Sequence, residues 1–303
     1  MPRTLRELFV NRTRQTEAFR KMLDGQTSRR IMLLTAGPGM GKSWLCQIFA
    51  QEAVARGLPL AQVDFADGQA YDPLLLVRRC RDAFGGQHFN AVTQAINDAT
   101  AARLEVAASA AVNTVTIAPS AAGAISGTIN AEVGTIVKDN LFVLQADTPI
   151  ARQALEDRIN TAFFECLAAL CQQQKAVFLF DTYERASLEP ERWAPGAADR
   201  WVSGQLLARI REGRLTNAIA VLSGRRAPEF GAEWNDVLGR MSLDVLDCAD
   251  IRVYLRERRG LAAITDAEAD RLCQAVAGVP QVLGLIGDNL ELANAPKSRD
   301  DEW

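Results

Sequence analysis

The octet Ala36-Gly37-Pro38-Gly39-Met40-Gly41-Lys42-Ser43 is the segment of this chain best equipped for chemistry. It lies between an apolar run, Arg30-Ile31-Met32-Leu33-Leu34-Thr35, and a helical pattern resuming at Ser43-Trp44-Leu45-Cys46. That is the strand, loop and helix setting a phosphate-binding loop requires. Glycines let backbone N–H groups turn inward around an anion, and the N-terminus of the next helix favours negative charge. Lys42 is expected to bridge the β and γ phosphates of ATP and Ser43 to ligate Mg²⁺, with Trp44 beside them. Ala36 stands where such loops usually begin with glycine, while Gly37 and Gly39 keep the turn pliable.

A second set of residues points to the same phosphates. Asp181 directly follows the apolar run Lys175 to Phe180 and is expected to hold Mg²⁺ through water. Glu184, three residues on, is the candidate general base that polarises an attacking water; the alternative is a solvated loop acid. Ser223-Gly224-Arg225-Arg226 follows another apolar run, at the carboxyl edge of a sheet where open α/β folds bind ligands. There Arg225 is placed to sense a γ-phosphate, against the alternative of a plain surface arginine. Gly278-Val279-Pro280 interrupts a helical pattern, and its proline fixes a bend that could press on adenine.

The elements that must position these residues are legible from periodicity. Apolar residues at helical spacing predict two short helices within residues 3 to 24, broken at Asn11 to Thr13. Leu60 to Phe65 reads as a strand and Pro73 to Phe84 as a helix with proline in its first turn. Arg152 to Gln174 reads as a long helix, and Lys175 to Phe180 as a strand covered on both faces. A helix over Trp201 to Glu212 and a strand over Ala218 to Ser223 follow. Strands alternating with helices predict a parallel α/β sheet. After Gly231 the apolar runs look helical only, which predicts a nucleotide-binding domain over 1–230 and a small helical lid over 231–303.

Within the first domain, residues 99–147 form an Ala/Ser/Thr/Gly-rich insertion with no charge between Glu105 and Glu132. Its pieces Val112 to Ile117 and Glu132 to Val137 have strand propensity. It reads as a disordered or loosely β-paired insertion, with a membrane-active or self-assembling segment as the sharper alternative.

Composition removes several function classes. A formal charge of −3 over 303 residues gives no bulk electrostatic case for nucleic acid or anionic membrane. The first thirty residues are locally basic and read as an ordinary solvated face. His88 is the sole histidine, so triads built on His with a supporting partner and His-rich zinc sites are excluded. The six cysteines make no CxxC pair and sit in apolar stretches, so they read as reduced core residues of a cytoplasmic chain. The first residues lack the apolar core of a signal peptide, and no stretch is apolar enough to span a bilayer.

Taken in order, Phe9-Val10-Asn11-Arg12, the phosphate loop, Phe178 to Glu184, Leu222-Ser223-Gly224-Arg225 and Gly278-Val279-Pro280-Gln281 resemble the STAND class of AAA-like signal-transduction P-loop ATPases. The resemblance covers nearly everything except the insertion and implies their nucleotide-binding domain plus first helical domain. It implies that Asn11, Arg12 and Pro280 flank adenine, that Arg225 senses γ-phosphate, and that ATP/ADP exchange switches a slowly hydrolysing protein between closed and homo-oligomeric states. Asn11 stands where the family usually has glycine. Past Pro296 no winged-helix domain or sensor repeat is visible, as in a fragment or a reduced member. An AAA+ loader of the replication-initiator or transposition-helper type, acting on DNA, is the alternative. Neither the input signal nor the effector is named by any motif.

Overall fold

The computed structural model describes residues 5–98, 149–189 and 193–294. The Ala/Ser/Thr/Gly-rich insertion and its two β-prone pieces lie outside the described residues, as do the residues after Pro296.

The chain opens with α1 (Leu5–Leu8) and α2 (Thr13–Asp24). Strand β1 (Ile31–Thr35) then leads through the glycine-rich loop into α3 (Lys42–Ala55). Next come β2 (Leu60–Asp64) and α4 (Pro73–Phe84), the latter started by Pro73 at its first position and by Asp72, whose carboxylate accepts Leu75 N–H at 2.8 Å. Helix α5 (Pro149–Gln173) precedes β3 (Ala176–Asp181). Helix α6 runs Ala197–Trp201, passes through a π-type turn at Val202–Leu207 and ends as Ala208–Arg211. After β4 (Ala218–Gly224) and β5 (Leu238–Ser242) the remainder is helical. It comprises α7 (Cys248–Val253, continued by a π-type turn at Tyr254–Arg258), α8 (Asp266–Val276) and α9 (Pro280–Asn294).

The five strands form one sheet in the order β2-β3-β4-β1-β5, and every pairing is parallel. A parallel sheet must be covered on both faces, and the alternation along the strands sorts the core accordingly. Phe178, Phe180, Ala220 and Leu222 face α4 to α6 through Phe84, Phe163 and Trp201. Val177, Leu179, Val221 and Leu34 face α2 and α3, where Phe19 and Phe49 stack with ring centroids 4.3 Å apart. A third, smaller cluster around Ile251, Leu255, Val276 and Leu283 joins α7 to α9, with Leu8 of α1 and Val10 packed against it. Among the described residues no helix is long and apolar enough to cross a membrane.

Two expectations need correction. Leu238–Ser242 is a strand paired with β1, so helices are not all that follows Gly231. An edge strand paired on one side only is partly exposed and carries no continuous apolar run, and a Cβ at its Gly239 would sit 3.3 Å from Arg29 Cδ. The cysteines are not all reduced. Cys248 and Cys273, 25 residues apart, are joined by a disulfide between α7 and α8, with their Cα atoms 5.4 Å apart. Helix packing, not sequence spacing, brings them together. Cys46, Cys80, Cys166 and Cys171 are free.

Candidate functional site

Strand β1 stops where Ala36 N–H makes a last bond to Gly224 O, and the chain then turns through Gly39 and Gly41. Both take left-handed backbone, with φ of 72° and 84°, which explains why glycine occupies these positions. Met40 between them is buried in the apolar cluster under α3 and pins the loop to the body. No atom lies within 4 Å of where a Cβ would sit at Gly41, so there is open space beside it, and Gly41 lines the cavity described below. Helix α3 begins at Lys42, so its free N–H groups and positive dipole end face that opening.

Lys42 folds back over the loop, its Nζ donating to Ala36 O at 2.9 Å and Gly37 O at 2.7 Å. Burial pulls its ammonium below the usual lysine range; Glu184 and Asp181 oppose that, while Arg225 adds to it. Asp181 ends β3 and is 5 % exposed, with Thr182 N–H donating to its Oδ1 at 2.9 Å and no cation within ion-pair distance among the described residues. A buried carboxylate so placed fits a bound cation better than it fits isolation. Thr182 takes left-handed backbone, φ 52°, and its hydroxyl donates to Asp64 Oδ1 at the end of β2 at 2.8 Å.

This twist carries Glu184 across the sheet edge to β4. Its Oε2 accepts the Arg225 N–H at 2.9 Å and its Oε1 lies 3.5 Å from Arg225 Nε. Gly224 is required by that approach, because a Cβ there would sit 2.7 Å from Glu184 Oε2. The Arg225 side chain is 62 % exposed, so this is a solvent-screened pair rather than a buried one.

These groups line one cavity of about 490 Å³. Pro38, Gly39, Met40, Gly41, Lys42, Ser43 and Trp44 form one wall, and Asp181, Glu184 and Arg225 the floor. The helical unit supplies the opposite wall through Pro280, Gln281, Leu283 and Tyr254, and Phe9, Val10 and Arg12 close one end. Gln281 N–H donates to Gly39 O at 3.1 Å, so the two units touch at the tip of the loop.

Of the residues singled out from sequence, Ala36 and Gly37 serve through carbonyls bonded to Lys42 and do not line the cavity. Asn11 does not line it either. It adopts the left-handed backbone, φ 59°, that glycine would accept there, and its side-chain amide donates to Asp250. Arg12 reaches the cavity but is 6 % exposed and bonds Met40 O at 3.3 Å. Burial lowers its affinity for its proton, and Asp244 and Asp250 offset part of that. Sequence reasoning missed Asp64, Tyr254 and Arg259, and quoted Gln281 only as the end of the Gly278 to Gln281 motif without giving it a role.

The residues fit a nucleotide with magnesium. A glycine turn lining the cavity, a lysine bonded only to carbonyls and a buried carboxylate without an ion-pair partner among the described residues are the set that a triphosphate and a hard cation call for. Ser43 and Asp181 would hold the metal.

No protein family model matches the chain, and no curated protein matches it in sequence. Solved structures do. A chain of the E. coli MS115-1 HORMA:CdnC:Trip13 complex has a TM-score of 0.51 at 9 % identity, over 98 % of this chain and 93 % of that one. The Thermotoga maritima RuvB Holliday junction branch migration motor has a TM-score of 0.41 at 11 % identity, over 95 % and 63 %. The Aeropyrum pernix ORC2 protein has 0.40 at 13 %, over 84 % and 55 %. The chain thus spans less than two thirds of the RuvB and ORC2 chains. At these identities the likeness is one of fold, the α/β P-loop sheet flanked by helices.

Proposed function

We propose that this chain is an ATP-binding molecular switch of the AAA-like, STAND type, in which ATP·Mg²⁺ bound on the phosphate loop controls how the helical unit sits against the sheet. One observation carries the reading: the loop, Asp181, Glu184 and Arg225 share a single cavity with Pro280 and Gln281 of the helical unit. A ligand filling that cavity contacts both units, so its binding energy differs between closed and open arrangements, which is the condition for a nucleotide to shift a conformational equilibrium.

Each residue then has a role. Lys42 leaves the Ala36 and Gly37 carbonyls for the β and γ phosphates. Magnesium, when bound, neutralises phosphate charge. Glu184 takes a proton from the water that attacks the γ-phosphorus, ADP leaves with the electron pair of the broken P–O bond, and turnover is slow because Glu184 is braced by the Arg225 amide. Arg225 swings toward the γ-phosphate when one is present. The apolar end near Phe9, Leu283 and Tyr254 takes the adenine, with Pro280 setting the wall. Exchange of ADP for ATP exposes a surface through which copies assemble.

Native mass and nucleotide content test this directly. With ADP the protein keeps one mass, and with a slowly hydrolysed ATP analogue it moves to a larger homo-oligomer. An unchanged mass in both states removes the switch reading. Mass growth that appears only after duplex DNA is added, with steep salt dependence, selects the DNA-acting alternative instead.

A further inference from the structure

Two carbonyls at the tip of the phosphate loop are held from outside the sheet. Gly39 O accepts Gln281 N–H of α9, and Met40 O accepts Arg12 Nη2. A trans peptide is planar, so fixing a carbonyl fixes the N–H of the following residue on the opposite side. The two contacts therefore set the directions of the Met40 and Gly41 amides, two of the donors from which an anion cradle is made.

Arg12 is in turn placed by a strained turn. Asn11 and Arg12 are consecutive non-glycine residues in left-handed backbone, φ 59° and 70°. Such a pair persists only where its surroundings over-determine it. The Asn11 side chain provides that: its Oδ1 accepts Arg12 N–H, and its Nδ2 donates to the Asp250 carboxylate on α7. Asp250 is fixed by a capping box with Asp247 at the start of that helix. Neither Asn11 nor Asp250 lines the cavity.

We infer that the Asn11–Asp250 bond is a positioning link between the helical unit and the phosphate loop: the helical unit holds Asn11, Asn11 holds the turn, and Arg12 holds Met40 O so that the loop keeps its anion-binding shape. When α7 moves away, the link breaks and the loop slackens, so nucleotide affinity follows the position of the helical unit through residues that touch no nucleotide. This rests on the nucleotide reading above for its ligand but not for its geometry.

Asn11→Gly, Asp250→Ala, the double variant and Arg12→Met test it. Asn11→Gly accepts left-handed backbone at position 11 without a Cβ while deleting both side-chain bonds of Asn11. Amide hydrogen exchange without nucleotide is expected to quicken about tenfold at Met40 and Gly41 in each single variant, and ADP affinity to fall about tenfold, with the double variant no worse than either single one. Arg12→Met is expected to match them. Exchange at Met40 and Gly41 equal to wild type in Asn11→Gly, or losses that simply add in the double variant, overturns the link. If wild type binds no ADP while the exchange result holds, the nucleotide reading fails and the link stands. If wild type binds ADP and Lys42→Ala does not, yet these variants bind and exchange as wild type, only the link fails.

Discussion

Replacing Lys42 by alanine is the perturbation whose size the geometry fixes best. The half-buried ammonium gives two hydrogen bonds, at 2.9 Å and 2.7 Å, to the Ala36 and Gly37 carbonyls of its own loop. On nucleotide binding it must exchange these for phosphate oxygens. Each charge-assisted bond to an anion in such a site is worth about 1.5–3 kcal/mol. The surrendered carbonyl bonds, one of them at the exposed surface, offset part of this, leaving a net of about 2–4 kcal/mol. That corresponds to a loss of roughly 30- to 1,000-fold in affinity for ADP or an ATP analogue. Without nucleotide the freed carbonyls can turn to water, so the fold loses no more than about 1 kcal/mol, a shift of a few degrees in melting temperature. Titration calorimetry with ADP, beside a thermal melt of the same preparation, reads both quantities. A dissociation constant within about threefold of wild type, in a protein that melts normally, refutes the assignment of this loop to phosphate.

Other outcomes follow from named contacts. Glu184→Gln keeps an oxygen for the Arg225 N–H but not the base, so phosphate release is expected to drop at least about 100-fold while ADP affinity stays within about threefold; undiminished turnover removes Glu184 from that role. Glu52 on α3 is held by Arg20 at 2.7 Å and Arg56 at 2.7 Å, and these bonds, Arg20 first, lower its carboxyl from the usual 4.5 to about 2. A carboxyl lowered on folding stabilises above its unfolded value and loses that contribution as pH falls from 4.5 toward 2. With Arg20 41 % exposed the contribution is discounted to about 1–2 kcal/mol, so Glu52→Gln is expected to be less stable than wild type at pH 6 by that amount, with the gap narrowing by pH 3 in urea melts. A gap constant with pH contradicts the charge argument. Reducing the Cys248–Cys273 bond reopens a loop spanning 25 residues, worth roughly 3.5 kcal/mol of chain entropy to the helical unit. Proteolysis within α7 to α9 is expected to accelerate in reductant and equally in Cys248→Ser; identical cleavage with and without reductant counts against the bond.

The local signals in the sequence reached far into this structure. Proline in the first helical turn placed α4 at Pro73–Phe84, because a fixed φ acts within one turn; the Asp72 cap was seen only in the folded chain. The run before Asp181 reads as a strand covered on both faces, and β3 is buried along its whole length, as is β4. The glycine turn between β1 and α3 was legible because only glycine takes its left-handed positions at no cost, and the α/β class followed from alternating periodicities.

What the chain did not disclose depends on residues far apart in sequence. The strand order, with β1 between β4 and β5, is decided by which faces bury the most apolar surface together, and no single segment records it. Leu238–Ser242 becomes a strand because β1 has a free edge to offer, against the weak preference of its own residues. The Asn11–Asp250 bond spans 239 positions, and Glu184 meets the Arg225 amide across 41. Contacts of that separation leave no local pattern, since what favours them is the packing of whole elements rather than the propensity of neighbours. Residue types and spacing thus named the candidate phosphate-binding groups; only the folded chain determined which of them share a cavity.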